Sequence, residues 1–233
     1  MVSPITPKRL ESNSTIAFVS PSARLNHELP AVMSRATAVL TGQGYKVHEL
    51  FTSDTGIQSS IDNRLSELRA AFSDPTISAI ICTIGGPCFN ELLPALIADT
   101  DLHKTIRANP KIVVGCSDIT GLHWFLHALT GLRTFYGPGA IPELGQSISA
   151  DDDDDDDDAS PVAFCAKHLL RAITQTQPLG DVAISPTYAP KPVPCLWSLF
   201  SPLRACLGRY NILFDSFSFG ATSFWYGLLE LGG

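Results

Sequence analysis

The sequence has no C-x-x-C pair and no glycine-rich phosphate loop of the G-x-G-x-x-G or G-x-x-x-x-G-K-S type. Its six cysteines, at 82, 88, 116, 165, 195 and 206, are spaced for neither a zinc site nor a dense disulfide framework. Free thiols in a reducing compartment are the expectation, and no cofactor or metal is implied. Charge of one sign is also scarce once a single run is set aside. Eight of the 23 acids form the unbroken stretch 151–158, and the remaining fifteen face sixteen basic residues, a balance of +1. Nothing in that balance calls for nucleic acid or an anionic membrane surface. Residues 1–14 hold two prolines and mixed charge without the apolar core of a secretory signal, so a cytoplasmic protein is expected. The longest uncharged stretch of the tail, 216–229, falls short of the roughly 20 residues a spanning helix needs, so no membrane anchor is expected.

What is present is alternation. From Thr15 to about Pro138, short β-branched runs are followed by longer segments of helical period, the pattern of a parallel sheet covered by helices. Strands are expected at 16–20, 45–51, 77–83, 111–115 and 132–136, and helices from Pro30 to Gly42, along 61–72, 90–97, 119–129 and 161–173. The aspartate run reads as a disordered surface loop, because like charges repel and bring no core with them. After about Pro190 the character changes: nine of the 20 aromatic residues fall in 191–233, without clear period. The expected organisation is an extension at 1–14, an α/β domain at 15–190 and an incomplete, aromatic-rich C-terminal segment at 191–233.

Ligands of parallel α/β sheets collect at strand carboxyl ends, and three such ends stand out: Ile84-Gly-Gly-Pro-Cys-Phe-Asn90, Gly115-Cys-Ser-Asp-Ile-Thr120 and Tyr136-Gly-Pro138. A serine on a strand-to-helix turn presents its hydroxyl above the sheet, and the following amide points at a developing oxyanion. That singles out Ser117 as a nucleophile and the amide of Asp118 beside it, while Gly85 and Gly86 could bring a second backbone N–H to the same point. Two plainer readings stay open: Ser117 and Asp118 as caps of the following helix, and Gly85-Gly86 as an ordinary strand-end turn. His123 and His127, four apart, could clamp a metal in principle. They lack the intervening glutamate of H-E-x-x-H, and Trp124, Phe125 and Leu126 between them suggest a packed helix.

Gly115-Cys-Ser-Asp-Ile-Thr120, preceded by Ala108-Asn-Pro-Lys111 and followed by Leu122-His-Trp and Thr134-Phe-Tyr-Gly-Pro138, resembles the nucleophile region of the serine LD-carboxypeptidase family, particularly its microcin-C-immunity branch. Ile16-Ala-Phe-Val-Ser-Pro-Ser22, Asn63-Arg-Leu65, Ile84-Gly-Gly86 and Leu92-Leu-Pro94 extend the resemblance over roughly 3–188. It implies a flavodoxin-like α/β fold with helices on both faces of a parallel sheet, followed by a smaller C-terminal domain. It also implies Ser117 as nucleophile, the amides of Gly86 and Asp118 as oxyanion hole, and Gly85 at the substrate. The implied substrate is a small peptide or aminoacyl conjugate cleaved at an amide beside a free carboxylate. No nucleic acid, membrane, cofactor or metal is implied, and a homodimer is an assembly open to the chain. Position 116, aromatic in the family pattern, is Cys116 here, which reads as a packing change.

A serine needs a general base, usually an imidazole oriented by a carboxylate. The family takes its Glu and His from the C-terminal domain, whereas all six histidines here, at 27, 48, 103, 123, 127 and 168, precede that domain. Glu230, near the end, sits in no matching context. Impaired catalysis is therefore the expectation. The alternatives are an inactive truncated fragment, a peptide-binding module, or a flavodoxin-like module holding a phosphate or nucleotide at Gly85-Gly86.

Overall fold

The β-branched runs form five strands: β1 Thr15–Val19, β2 Lys46–Leu50, β3 Ile77–Cys82, β4 Ile112–Gly115 and β5 Phe135–Tyr136. They make one sheet, parallel throughout, in the order β2-β1-β3-β4-β5. That is the flavodoxin-like order, whose direction of winding reverses between β1 and β3. A computed structural model describes residues 2–146 and 160–182 of the 233. The aspartate run at 151–158, the boundary expected near 190 and the aromatic segment 191–233 lie outside the described residues.

β1, β3 and β4 are apolar along almost their whole length because both faces of the sheet are covered. Successive side chains alternate between two cores. Ala17, Val19, Ile80, Cys82 and Val113 pack against α2 (Ile57–Ser73), α3 (Leu93–Ala98), α4 (Thr100–Ala108) and α5 (Thr120–Phe125). Ile16, Phe18, Ala79, Ile81, Ile112 and Val114 pack against α1 (Pro30–Gly42) and α6 (Pro161–Thr174). β2, at the sheet edge, is only half buried along its length. Among the described residues no helix is long and apolar enough to cross a membrane.

Several elements differ from the sequence pattern in instructive ways. The strand expected at 132–136 is two residues long, because Leu132 turns away to bridge Ile5 in parallel. The residues before β1 are tied to the domain: Leu10 is buried, and its N–H donates to the Ile173 carbonyl at 2.7 Å. α4 was not anticipated, although Asp99 caps it by accepting from the Leu102 amide at 2.9 Å. The helix expected at 90–97 is divided into a 3₁₀ turn, Phe89–Leu92, and α3 with Pro94 in its first turn. The helix expected at 119–129 runs through a 3₁₀ turn, Ser117–Ile119, then α5, then a π turn, Leu126–Thr130, which Gly131 ends in the left-handed region.

One buried cation ties this scaffold to the strand ends. Arg64 on α2 is 2% exposed and donates to Ser60 O at 3.1 Å, Cys88 O at 2.9 Å and Glu91 Oε2 at 2.5 Å. The Glu91 side chain is 41% exposed, so the ion pair itself contributes little. The larger share comes from the buried guanidinium itself, whose charged N–H groups meet the Ser60 and Cys88 carbonyls. Arg64→Met is expected to destabilise the fold by about 2–3 kcal/mol in urea unfolding. A midpoint equal to the parent's would show that the guanidinium contributes no net stability.

Candidate active site

Ser117 lies just past β4, one residue beyond its end at Gly115, exposed, at φ +58°. The left-handed region costs an L-residue about 1–2 kcal/mol, so the neighbourhood must hold it there. Two side chains do so. The Ser117 N–H donates to the Tyr136 hydroxyl at 2.9 Å, and the Thr120 hydroxyl donates to the Ser117 carbonyl at 2.6 Å. Both backbone groups of Ser117 are thereby used, and among the described residues no group hydrogen-bonds its own hydroxyl.

The helix-cap alternative finds no support, since neither the 3₁₀ turn nor α5 has a side-chain cap. The Asp118 carboxylate turns instead toward the other strand ends. Its Oδ2 accepts from the Ser22 hydroxyl at 2.6 Å and from the Phe89 amide at 2.8 Å. The loop after β3 lies against the serine: a Cβ on Gly85 would stand 2.8 Å from Ser117 Cβ and 3.1 Å from its Oγ. Gly86, at φ +148°, lies so close to Ser22 that a Cβ would meet the Ser22 hydroxyl at 2.5 Å. Gly85, Gly86, Ser117 and Asp118, singled out in the sequence, thus meet at one place. Ser22, the Phe89 amide and the Tyr136 phenol join them without having been assigned a role.

Cys116 is buried beneath the turn. Burial pushes the thiol of neighbouring Cys82 far up, with Cys116 a further cause. Among the described residues no histidine hydrogen-bonds the Ser117 hydroxyl. His123 Nε2 lies 3.0 Å from Gly115 O, and because a carbonyl only accepts, that nitrogen carries the proton. Nδ1 is buried without a partner among the described residues, and burial holds the ring below the usual histidine value of 6.5 despite the bond to Gly115. His103 is bound to Leu96 O and packs at a tilt against Phe125, and the His27 and His168 rings pack at a tilt against Phe51 and Phe164. Among the described residues no cluster of three or more His, Cys, Asp or Glu is placed to hold a metal ion.

Strand order, together with a left-handed serine on the turn after β4, sets the chain among α/β proteins whose sites lie at the carboxyl ends of the sheet. Residues 16–137 match the LD-carboxypeptidase N-terminal domain, more than half of the chain, and the chain belongs to that family. It is 38% identical over 146 residues to the microcin C7 self-immunity protein MccF of Escherichia coli, covering 61% of this chain and 41% of that protein. Over 84 residues it is 34% identical to the murein tetrapeptide carboxypeptidase of Pseudomonas aeruginosa, covering 36% and 26%. A solved structure of MccF in complex with aspartyl sulfamoyl adenosine superposes with a TM-score of 0.64 at 31% identity, covering 75% of this chain and 48% of that one. The chain spans less than half the length of these relatives.

Two stability measurements follow from this geometry. Ser117→Gly is expected to be more stable than Ser117→Ala by about 1 kcal/mol in urea unfolding. Relief of the left-handed strain outweighs the entropy that glycine adds to the unfolded chain. A glycine variant no more stable than the alanine one would mean the turn is unstrained. Because the folded state keeps His123 below 6.5, the unfolded chain takes up a proton that the folded chain refuses as pH falls through 6.5. Stability therefore drops on acidification below 6.5 until the lowered folded value is reached, by at most about 1.4 kcal/mol per pH unit for this group. His123→Gln should flatten that slope between pH 7 and 5, and an unchanged slope would assign the loss to other groups.

Proposed function

We propose that the chain carries the nucleophile part of a cytoplasmic, LD-carboxypeptidase-like serine hydrolase that cleaves an amide beside a free carboxylate. The observation that carries this reading is an exposed serine held in the left-handed region at a strand carboxyl end, with a glycine loop in van der Waals contact. In the proposed chemistry Ser117 Oγ attacks the scissile carbonyl. The oxyanion that forms lies toward the amides of Gly86 and Asp118, with Gly85 leaving space for the substrate backbone. The leaving amine departs with a proton, and water then releases the acyl group from Ser117. Among relatives, one solved MccF structure is an active-site mutant with a serine replaced, and others hold aspartyl sulfamoyl adenosine and glutamyl sulfamoyl guanosine. They support a small peptide or aminoacyl conjugate as the substrate class here.

The general base is the weak point of the chain taken alone. All six histidines lie in the described residues, and none hydrogen-bonds the Ser117 hydroxyl. On this reading the base comes from residues outside those described or from another chain, and catalysis is impaired without it. The same observation favours a second reading, a peptide-binding module that does not hydrolyse. Release of the terminal D-amino acid from an L,D-linked tetrapeptide, followed for the purified chain and its Ser117→Ala variant, separates the two. Slow release that disappears in the variant is the expected result. No release by either, with both folded, would leave the binding module.

A further inference from the structure

The loop after β1 and the turn after β4 face each other across the Gly85-Gly86 segment, and the first of them has no role in the chemistry proposed above. Ser22 and Ala23 follow β1, and Ser22 is 1% exposed. The Ala23 N–H donates to the Gly85 carbonyl at 3.0 Å. Gly85 C=O and Gly86 N–H belong to one peptide unit, and in a trans peptide they point in opposite directions. Only Ile141-Pro142 is cis among the described residues. Anchoring the carbonyl on Ala23 therefore aims the Gly86 N–H away from the β1 loop, on the side opposite the anchor. Ser22 fixes the distance across this contact. Its hydroxyl donates to Asp118 Oδ2 at 2.6 Å, accepts from the Cys88 amide at 3.3 Å, and lies against the Gly86 Cα.

We infer that Ser22 is a positioning residue for the Ser117 site: through Asp118 and the Cys88 amide it holds the loop that carries the Gly86 N–H at the distance an oxyanion requires. The inference rests on the Ser117 hydrolase reading. The hydroxyl sits where three loops converge. It touches the loop after β3 at Cys88 and the turn after β4 at Asp118, and Asp118 returns to the β3 loop through the Phe89 amide. A hydroxyl that both donates and accepts suits that place. Alanine would leave the Asp118 carboxylate with one donor fewer and the Cys88 amide without its acceptor, while removing little volume. The loop would then be free to drift from Ser117 without the fold being lost. Displacements of that size matter at such a site, since donors act only when held close to the developing charge.

The test uses a fluorophosphonate, whose phosphoryl oxygen takes the place of the oxyanion when the reagent phosphonylates a serine and fluoride leaves. Labelling of the purified chain is followed by intact mass, with Ser117→Ala as the control that assigns the site. For Ser22→Ala the maximal labelling rate constant is expected to fall about tenfold to a hundredfold with the half-saturating reagent concentration nearly unchanged. A purely structural role would lower the folded fraction without that split. Asp118→Ala should match Ser22→Ala, which also decides the matter if Ser22→Ala does not fold. Parent-like labelling of Ser22→Ala or Asp118→Ala would overturn the positioning role alone. A folded parent chain that takes no label at Ser117 would overturn the hydrolase reading, and the positioning role with it.

Discussion

The site is organised around one carboxylate. Asp118 stands on the turn after β4, yet its side chain makes its bonds to the loops after β1 and β3, at Ser22 and Phe89. Parallel strands leave their carboxyl ends as separate loops with nothing in the sheet ladder to fix one against another. A short, charge-assisted contact shared between such loops supplies that missing constraint, and charged hydrogen bonds of this kind are stronger than neutral ones. Packing reinforces it. The Phe89 ring lies over Gly121 of α5, where a Cβ would stand 2.6 Å from Cδ1, and Arg64 reaches the same loop from α2 through Cys88 O. The left-handed serine is held within this frame by Tyr136 and Thr120.

Most of the architecture was legible because it rests on period. The buried runs 16–19, 77–82 and 112–115 mark strands covered on both faces, and the stripes of α1, α2 and α6 mark the layers over them. The places where the pattern misled have local causes. Leu132 and Phe135 read as one strand, yet Leu132 is occupied by Ile5, a contact between distant segments that no window of sequence contains. α4 is short and its buried side is carried by Leu102 and Ile106 alone, too little to stand out by period. At the site, Ser117, Asp118, Gly85 and Gly86 were visible from residue type and position at strand ends. The left-handed conformation of Ser117 was not, and neither was the direction of the Asp118 side chain. The first depends on Tyr136, 19 positions away, together with the nearby Thr120, and the second on Ser22, 96 positions away. Ser22 stood inside a motif noticed for resemblance and Tyr136 at a strand end noticed as a place for ligands, and neither side chain had a role attached to it.

The division of labour in the site is also uneven. Its described parts are a left-handed serine, a carboxylate and a glycine loop on a rigid sheet, and in the proposed chemistry none of the described histidines supplies the base. His123 illustrates the difference. It is near in sequence and on the adjoining helix, but it is spent on Gly115 O beneath the turn, where it is buried and held neutral. The same carbonyl accepts from the Gly137 amide at 3.1 Å, so the helix and the exit of β5 converge on the residue that ends β4. That histidine is a structural strut of the turn.

The strand order has a temporal consequence. β1, synthesised first, sits inside the sheet and pairs on both sides with strands that follow it, β2 at Lys46–Leu50 and β3 at Ile77–Cys82. Ser22 therefore waits for Cys88 and Phe89, and all of them wait for the turn at Ser117 and for Tyr136 beyond it. A chain growing from the ribosome has no complete version of this site at any length short of β5. Its assembly closes a long-range loop of the slow kind set by topology. Until β2 and β3 have emerged, the segment that ends in Ser22 is an apolar strand with open edges, exposed to whatever else in the cell can pair with it.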